Sequence, residues 1–341
     1  MTTRETAVAA FLSRAGWAGA IRTPLTGDAS ARRYERLRCD LRGALLMDAP
    51  PESGEEVRRF LAIADLLSEC GLSVPRILAE EAEAGLLVIE DFGDDVFTRL
   101  VTEEPTREPD LYAAAAGALA HLHPTPPPLH LPPGRRRMPE QAALVLDWYA
   151  PEARAARDDL LAIVGDAIDR LPPVPDTIVH RDFHAENLIW LARRDGVRRV
   201  GLLDFQDAMA GPMDYDLASL VGDPRRRVSD GARDAAIAAY ADASGRDATD
   251  VETGMVICSA QRNLRILGIF TRLCLRDGKT RYPGFLPRTW EILTRDLGHP
   301  ALADLGAFVE RHLRPPTPAR LDTIRTQAGK FRDRDSAEIP S

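Results

Sequence analysis

The sequence predicts an α+β protein of two lobes, a small β-rich N-terminal lobe and a larger, mainly helical C-terminal one. With 341 residues, 45% of them hydrophobic, the chain can bury more than one compact core. Short strands bounded by turn residues dominate the stretch before Asp91, and the pattern after Gly93 is mainly helical. The corresponding boundaries are an N-terminal lobe over 1–93, a C-terminal lobe over 94–314, and a tail over 315–341 in which charge and proline content rise and order should fray.

Val8, Phe11 and Leu12 fall at helical spacing and predict a helix over Thr3 to Trp17, after which Gly27 opens a region of short strands. Tyr34 to Leu37 and Ala44 to Met47 read as two strands, with Asp40 to Gly43 as their turn. Ser53 and Glu56 have the spacing of a capping box, and Val57, Phe60, Leu61, Ala64 and Leu67 then form one apolar stripe that Gly71 stops. A second strand pair follows, Arg76 to Ala79 and Leu86 to Glu90, turning at Gly85. Asp91-Phe92-Gly93 reads as a hinge, and Leu111 to His123 as the first clear helix beyond it. Prolines from 124 to 139 stop that helix and require an ordered loop or a lid, in which Arg135 to Arg137 form either a solvated basic turn or a reach towards a phosphate or sugar acid. Further helices are predicted at Pro139 to Trp148, Pro151 to Leu171, Asp230 to Ala243, Thr249 to Arg276 and Pro287 to Asp296.

The formal charge of −8 disfavours an extended nucleic-acid surface or an anionic membrane surface as partner, and leaves a small ligand open. Cys39, Cys70, Cys258 and Cys274 are too scattered for a disulfide scaffold or a C-x-x-C site. The apolar run at 8–12 is too short for a signal sequence and no later run is long enough to span a membrane, so a cytoplasmic protein is expected.

The chemistry is concentrated in His180-Arg181-Asp182-Phe183-His184-Ala185-Glu186-Asn187, which has the H-R-D-x-x-x-x-N spacing of a kinase catalytic loop. Leu188 to Leu191 leaves the octet as a strand, Asp195-Gly196 supplies a turn, and Val200 to Leu203 returns the chain to Asp204. Phosphoryl transfer requires one carboxylate that takes a hydroxyl proton, together with an amide oxygen and a second carboxylate that hold Mg²⁺ on the phosphates of ATP. Asp182 fits the first role, and Asn187 and Asp204 the second; His180 is expected to brace the loop. The fold class is thereby sharpened to a protein-kinase-like two-lobed α+β fold.

Asp204-Phe205-Gln206-Asp207, Gly211-Pro212 and Asp214-Tyr215-Asp216-Leu217-Ala218 resemble the aminoglycoside phosphotransferase and choline kinase superfamily. Thr26-Gly27-Asp28-Ala29-Ser30 with Arg32-Arg33-Tyr34, Met47-Asp48-Ala49-Pro50-Pro51, and the helix segment from Gln261 to Phe270 most resemble the anomeric N-acetylmuramate/N-acetylglucosamine kinases of bacterial cell-wall recycling. The resemblance runs from about Gly27 to Leu297 and implies ATP-dependent phosphorylation of an amino sugar's anomeric hydroxyl, giving a sugar 1-phosphate. An aminoglycoside or other small-alcohol phosphotransferase is the alternative within the fold. A nucleotide-binding pseudokinase acting through a partner is the alternative outside enzymology. Gln206 stands where a protein kinase has the glycine after Asp-Phe, and the interval from Asp204 to Gly211 has no Ser, Thr or Tyr, which favours a small acceptor over a protein.

On the phosphate side, the Gly27 loop has one glycine, and the amides of Ala29 and Ser30 are candidates to cradle the β-phosphate; alone this is equally an ordinary turn, and the resemblance favours ATP. Met47 occupies the position of the protein-kinase lysine, and the only lysines are Lys279 and Lys330. Arg32 and Arg33 would point to opposite faces of a strand, so one of them can replace it, and Arg33 is favoured, with Glu55 or Glu56 as a possible partner. Backbone groups from Glu90 to Phe92 are expected to bond the adenine edge. On the acceptor side the candidates are His184, Glu186, Asp207, Arg262 and Asn263; Arg262 shares a helix face with Arg265, and a guanidinium there suits the lactyl carboxylate of N-acetylmuramate.

Overall fold

The structure, a computed structural model, describes residues 3–25, 32–53 and 57–332. The expected phosphate-loop positions Gly27, Ala29 and Ser30, and the acidic pair Glu55 and Glu56, lie outside the described residues. In chain order the elements are α1 (Thr3–Arg14), β1 (Ile21–Pro24), β2 (Arg33–Cys39), β3 (Arg42–Asp48), α2 (Val57–Glu69), β4 (Ile77–Glu81), β5 (Leu86–Ile89), α3 (Phe97–Glu103), α4 (Glu108–Leu122), α5 (Met138–Ala142) and α6 (Arg157–Asp169). They continue with β6 (Thr177–Val179), β7 (Leu188–Trp190), β8 (Val200–Leu202), β9 (Met209–Gly211), α7 (Tyr215–Val221), α8 (Asp230–Ser244), α9 (Ala248–Leu275), α10 (Leu286–Asp296), α11 (Ala303–His312) and α12 (Pro318–Thr326). They form two compact units, one of Met1–Glu103 with Glu186–Asp207, the other of Glu104–Ala185 with Ala208–Ser341.

The first unit is built on an antiparallel sheet of order β1-β2-β3-β5-β4. Alternation along β3 and β5 turns Ala44, Leu46, Leu86 and Val88 to one face, where they pack with Leu37 against Val8, Phe11, Leu12 and Trp17. The β2–β3 loop is tighter than the sequence suggests: Cys39 pairs with Arg42, leaving Asp40 and Leu41 as the turn, with Asp40 in the left-handed region at φ 52°. That region tolerates Asp better than a branched residue. Strand β1, absent from the sequence reading, is mostly exposed and pairs with β2 from Ile21↔Arg38 to Pro24↔Glu35; without an apolar alternation it left no pattern to find.

The β7–β8 hairpin belongs to this unit because its backbone is tied there. Trp190 N–H donates to Asp95 O (2.8 Å), Leu202 N–H to Ser73 O (2.8 Å), and the Ser73 hydroxyl to Arg198 O (2.6 Å). Gly201 lies against the Phe92 ring, where a Cβ would approach two ring carbons at 2.9 Å.

The second unit is helical around α9, whose 28 residues span about 42 Å. Asp247 caps it, accepting from the N–H groups of Thr249 and Asp250. The helix predicted over Pro139 to Trp148 is instead the short α5 followed by a π-helical turn, Val145–Tyr149, beside which α9 passes at Gly268. The Pro-rich segment is an ordered strap: Ala210 N–H donates to Pro132 O (2.9 Å) and Gly134 N–H to Ala210 O (2.6 Å). Within the tail expected to fray, the described part after Pro315 forms α12, in which Leu321 and Ile324 are buried, and residues 333–341 lie outside the described residues. Among the described residues no helix is long and apolar enough to cross a membrane.

A Cβ on Gly268 would stand 2.5 Å from both the carbonyl carbon and oxygen of Leu144, so Gly268→Ala forces two backbones apart. The expected loss is about 1–3 kcal/mol, read as a lower urea midpoint at unchanged m-value. An unchanged midpoint would mean that α9 and the π-turn can separate without cost.

Candidate active site

The octet's first half lies in the second unit. Strand β6 is buried and pairs with β9, and the loop leaving it is held by one carboxylate. Asp216, in the first turn of α7 and fully buried, accepts the N–H of His180 (2.5 Å) and the N–H of Arg181 (2.9 Å). Arg181 is left-handed at φ 81°, a conformation that costs a non-glycine residue on the order of 1–3 kcal/mol and that the two bonds help hold. Burial pushes the Asp216 carboxyl up to about 7 against the pull of the two N–H groups, and the charge of Asp182 pushes the same way. His180 is buried and meets the Phe183 ring edge-on at 5.6 Å, which suits a strut better than a proton carrier. Two residues before Asp216, Asp214 receives Arg246 through both carboxylate oxygens, and Gly254 of α9 leaves the space that this carboxylate fills.

Asp182 is partly shielded from solvent in a basic field. Burial raises its carboxyl, but Arg265, His184, Arg181 and Arg262 outweigh it and hold the pKa at about 2. His184 counts only when protonated. Its own burial, then Arg225, lowers it to about 4, so at neutral pH the arginines carry the effect. Arg265 also donates to the Tyr215 hydroxyl (2.9 Å), while Arg262 is 3% exposed with Nη1 making no hydrogen bond among the described residues.

The octet's second half lies in the first unit. Leu203 N–H donates to Asn187 O (2.9 Å), which sets Asn187 and Asp204 side by side at the open end of the β7–β8 hairpin. Asp204 is left-handed at φ 57°, and its Oδ1 accepts from Gln206 Nε2 (2.9 Å). Arg32 Nη1 is 4.0 Å from the same oxygen. An amide oxygen beside a carboxylate is a hard, oxygen-only donor pair; it fits Mg²⁺, which takes its remaining ligands from phosphate and water. Phe205 packs on Phe60 of α2 with ring centroids 4.8 Å apart, and Asp207 faces Arg59 of the same helix at 3.9 Å.

The chain has relatives among known proteins. The model of the phosphotransferase enzyme family matches residues 21–252. The chain belongs to that family. Over 91% of this phosphotransferase and 97% of the relative, it is 38% identical to an N-acetylmuramate/N-acetylglucosamine kinase of Caulobacter vibrioides. It is 32% identical, over 84% of this chain and 87% of the relative, to a protein of the same name from Pseudomonas aeruginosa. Among solved structures, a choline/ethanolamine kinase family protein from Mesorhizobium loti shares the fold with a TM-score of 0.61 at 16% identity, covering 95% of this chain and all of that one.

Several site residues of the phosphotransferase stand elsewhere than the sequence suggested. Arg33 is exposed in β2, and it is the half-buried Arg32, just before the strand, whose guanidinium lies 4.0 Å from Asp204. Glu90 donates its N–H to Arg76 O (2.9 Å) and its carboxylate takes Arg194 (2.7 Å) and Arg76 (3.1 Å), so neither that donor nor that side chain is left for adenine. Phe92 instead places its ring between Gly201 and the Arg194 guanidinium, 5.0 Å from the ring centre. Asn263 keeps its amide donors within the helix pair: they go to Ser259 O (2.8 Å) and Ser259 Oγ (3.2 Å), and Ser259 donates to Asp296 of α10. Glu186 is exposed, and Arg135 pairs with Asp176 (2.6 Å). Asp216 enters the sequence reading only as part of a family motif, with no role of its own. Its signal was present as an acid at the head of an otherwise apolar helix, Tyr215–Val221, where burial demands partners.

Because Asp216 titrates at about 7 against an ordinary 3.8, its protonated form is favoured by folding. Its stabilising share is therefore complete below about pH 4 and is lost as pH rises through 7. Asp216→Asn, which cannot titrate and leaves one N–H without its acceptor, is expected to be about 1–3 kcal/mol less stable at about pH 5, with the gap to wild type narrowing by about pH 8. Denaturant titrations at both pH values test this; a constant gap would show that burial does not dominate at Asp216.

Proposed function

We propose that the chain is an ATP-dependent kinase that phosphorylates the anomeric hydroxyl of N-acetylmuramate, N-acetylglucosamine or both, releasing the sugar 1-phosphate. The kinase assignment follows from the family and from relatives of one consistent name along nearly the whole chain. The observation that carries the acceptor is the basic surround of Asp182, above all Arg262, a buried guanidinium with an unused N–H. A lactyl carboxylate would satisfy it by a charge-assisted bond. A polycationic aminoglycoside would instead meet Arg181, Arg262 and Arg265, so the same field disfavours the alternative drug substrates.

In the reaction, the anomeric oxygen attacks the γ-phosphorus, the bond from that phosphorus to the β–γ bridging oxygen breaks, ADP leaves, and the hydroxyl proton passes to an Asp182 oxygen. With its pKa at about 2 in the free protein, Asp182 is ionised throughout the physiological range and is a weak base. Its part is to orient the hydroxyl and to take the proton late, which suits a loose transition state. Asn187 and Asp204 would hold Mg²⁺, which when bound neutralises charge on the phosphate oxygens. Arg32 is the side chain suited to the position that a lysine holds in protein kinases, and Gly27, Ala29 and Ser30, with the Glu90 carbonyl and the backbone of 91–92, remain the proposed nucleotide contacts.

Protein supplied with Mg·ATP and N-acetylmuramate is expected to yield ADP and an acid-labile sugar 1-phosphate, identified by phosphorus NMR. An acid-stable ester at another hydroxyl would reject the anomeric assignment. Arg262→Gln is expected to raise KM for N-acetylmuramate at least about tenfold more than for N-acetylglucosamine, which lacks the carboxylate. Equal increases would remove Arg262 from carboxylate recognition, and the ratio is insensitive to any loss of folded protein.

A further inference from the structure

The closed end of the β7–β8 hairpin, opposite Asn187 and Asp204, borders a cavity of about 400 Å³ that the proposed chemistry does not use. It lies between the end of α2, the segment from Gly71 to Arg76, and the connection from Arg193 to Arg198. Arg76, Arg193, Arg194 and Arg198 all line it, against a single lining acid, Asp195, which is itself within 4.0 Å of Arg199. Arg76 and Arg194 share one carboxylate, that of Glu90. The guanidiniums of Arg193 and Arg198 have no hydrogen bond or ion pair among the described residues, so the cavity holds more positive charge than its neighbours neutralise. Its frame is fixed, since Ser73 is bonded to the connection through Arg198 O and to β8 through Leu202 N–H. Buried Leu72 and Val74 add apolar wall.

We propose that this cavity binds a small phosphorylated metabolite at a site distinct from that of phosphoryl transfer. Converging guanidiniums match a phosphate dianion through paired N–H donors. The volume is that of a small-molecule pocket and excludes an extended polyanion, which a chain of net charge −8 also repels. Binding is linked to the nucleotide end of the unit. A phosphate would compete with Glu90 for Arg76 and Arg194, and Arg194 also lies over the Phe92 ring. The anion would thus alter the 90–92 segment, a consequence that rests on the nucleotide contacts proposed above.

Inorganic pyrophosphate is the probe, titrated calorimetrically into the full chain at low ionic strength, without divalent ions and with ADP saturating. One saturable event is expected, at least tenfold weaker in Arg193→Ser/Arg198→Ser at unchanged thermal midpoint, and unchanged in Asp182→Asn. No saturable event, or one that the double variant leaves intact, overturns the site. At constant free Mg²⁺, pyrophosphate should also shift KM for ATP at least twofold in wild type and not in the double variant; an unmoved KM overturns the link to the 90–92 segment while the binding result stands. Should the sugar kinase reading fail, turnover with the amino sugars is absent and the calorimetric result is unaffected.

Discussion

Two backbone N–H groups of the loop that carries Asp182 end on the single buried carboxylate of Asp216, and the geometry of that loop depends on the junction. The loop leaves a three-residue strand and at once places Arg181 in the left-handed region, which only a surrounding that over-determines it can maintain. Asp216 does so from the first turn of α7, with Asp214 anchored to Arg246 just before it and Gly254 making room on α9. A carboxylate with no solvent contact is costly, so the same residue that orders the loop is one whose protonation is pulled towards neutrality.

Charge is distributed to the same end. Asp182 is kept ionised by arginines from its own loop and from α9, and the acceptor that suits such a surround is neutral or anionic. On the hairpin, Asp204 meets Arg32, a residue flanking the first strands of the sheet, so an arginine stands in a region where no lysine exists. Arginine cannot lose its proton under physiological conditions, and its planar fork favours paired oxygens. The Arg193–Arg198 connection extends the same chemistry to the other end of the hairpin.

The legible parts were those with a local cause. The apolar stripe of α2, the β7–β8 hairpin and the long α9 each follow from periodicity and turn residues within one stretch of chain. Asn187 and Asp204 could be paired from sequence because a hairpin must return the chain beside its start. Side-chain direction was less legible: the choice between Arg32 and Arg33 turns on one position, and of the two neighbours Arg262 and Asn263, both expected at the acceptor, Asn263 is committed to Ser259. The π-turn at Val145–Tyr149 had no local signal, since it arises where α9 passes at Gly268.

The sequence by itself determined the chemistry: an octet, a hairpin and a terminal Asp that specify phosphoryl transfer, because the order and spacing of those donors are covalent facts. Only the tertiary structure decided what surrounds them. Asp216 as the loop's anchor, Arg262 and Arg265 as the field on Asp182, Asn263 as a bond within the helical core, and Glu90 as a bridge between two arginines all join residues distant in sequence. Such contacts are set by the packing of helices and strands against one another, and the electrostatics of a buried group depends on every charge brought near it, which no single stretch of chain contains.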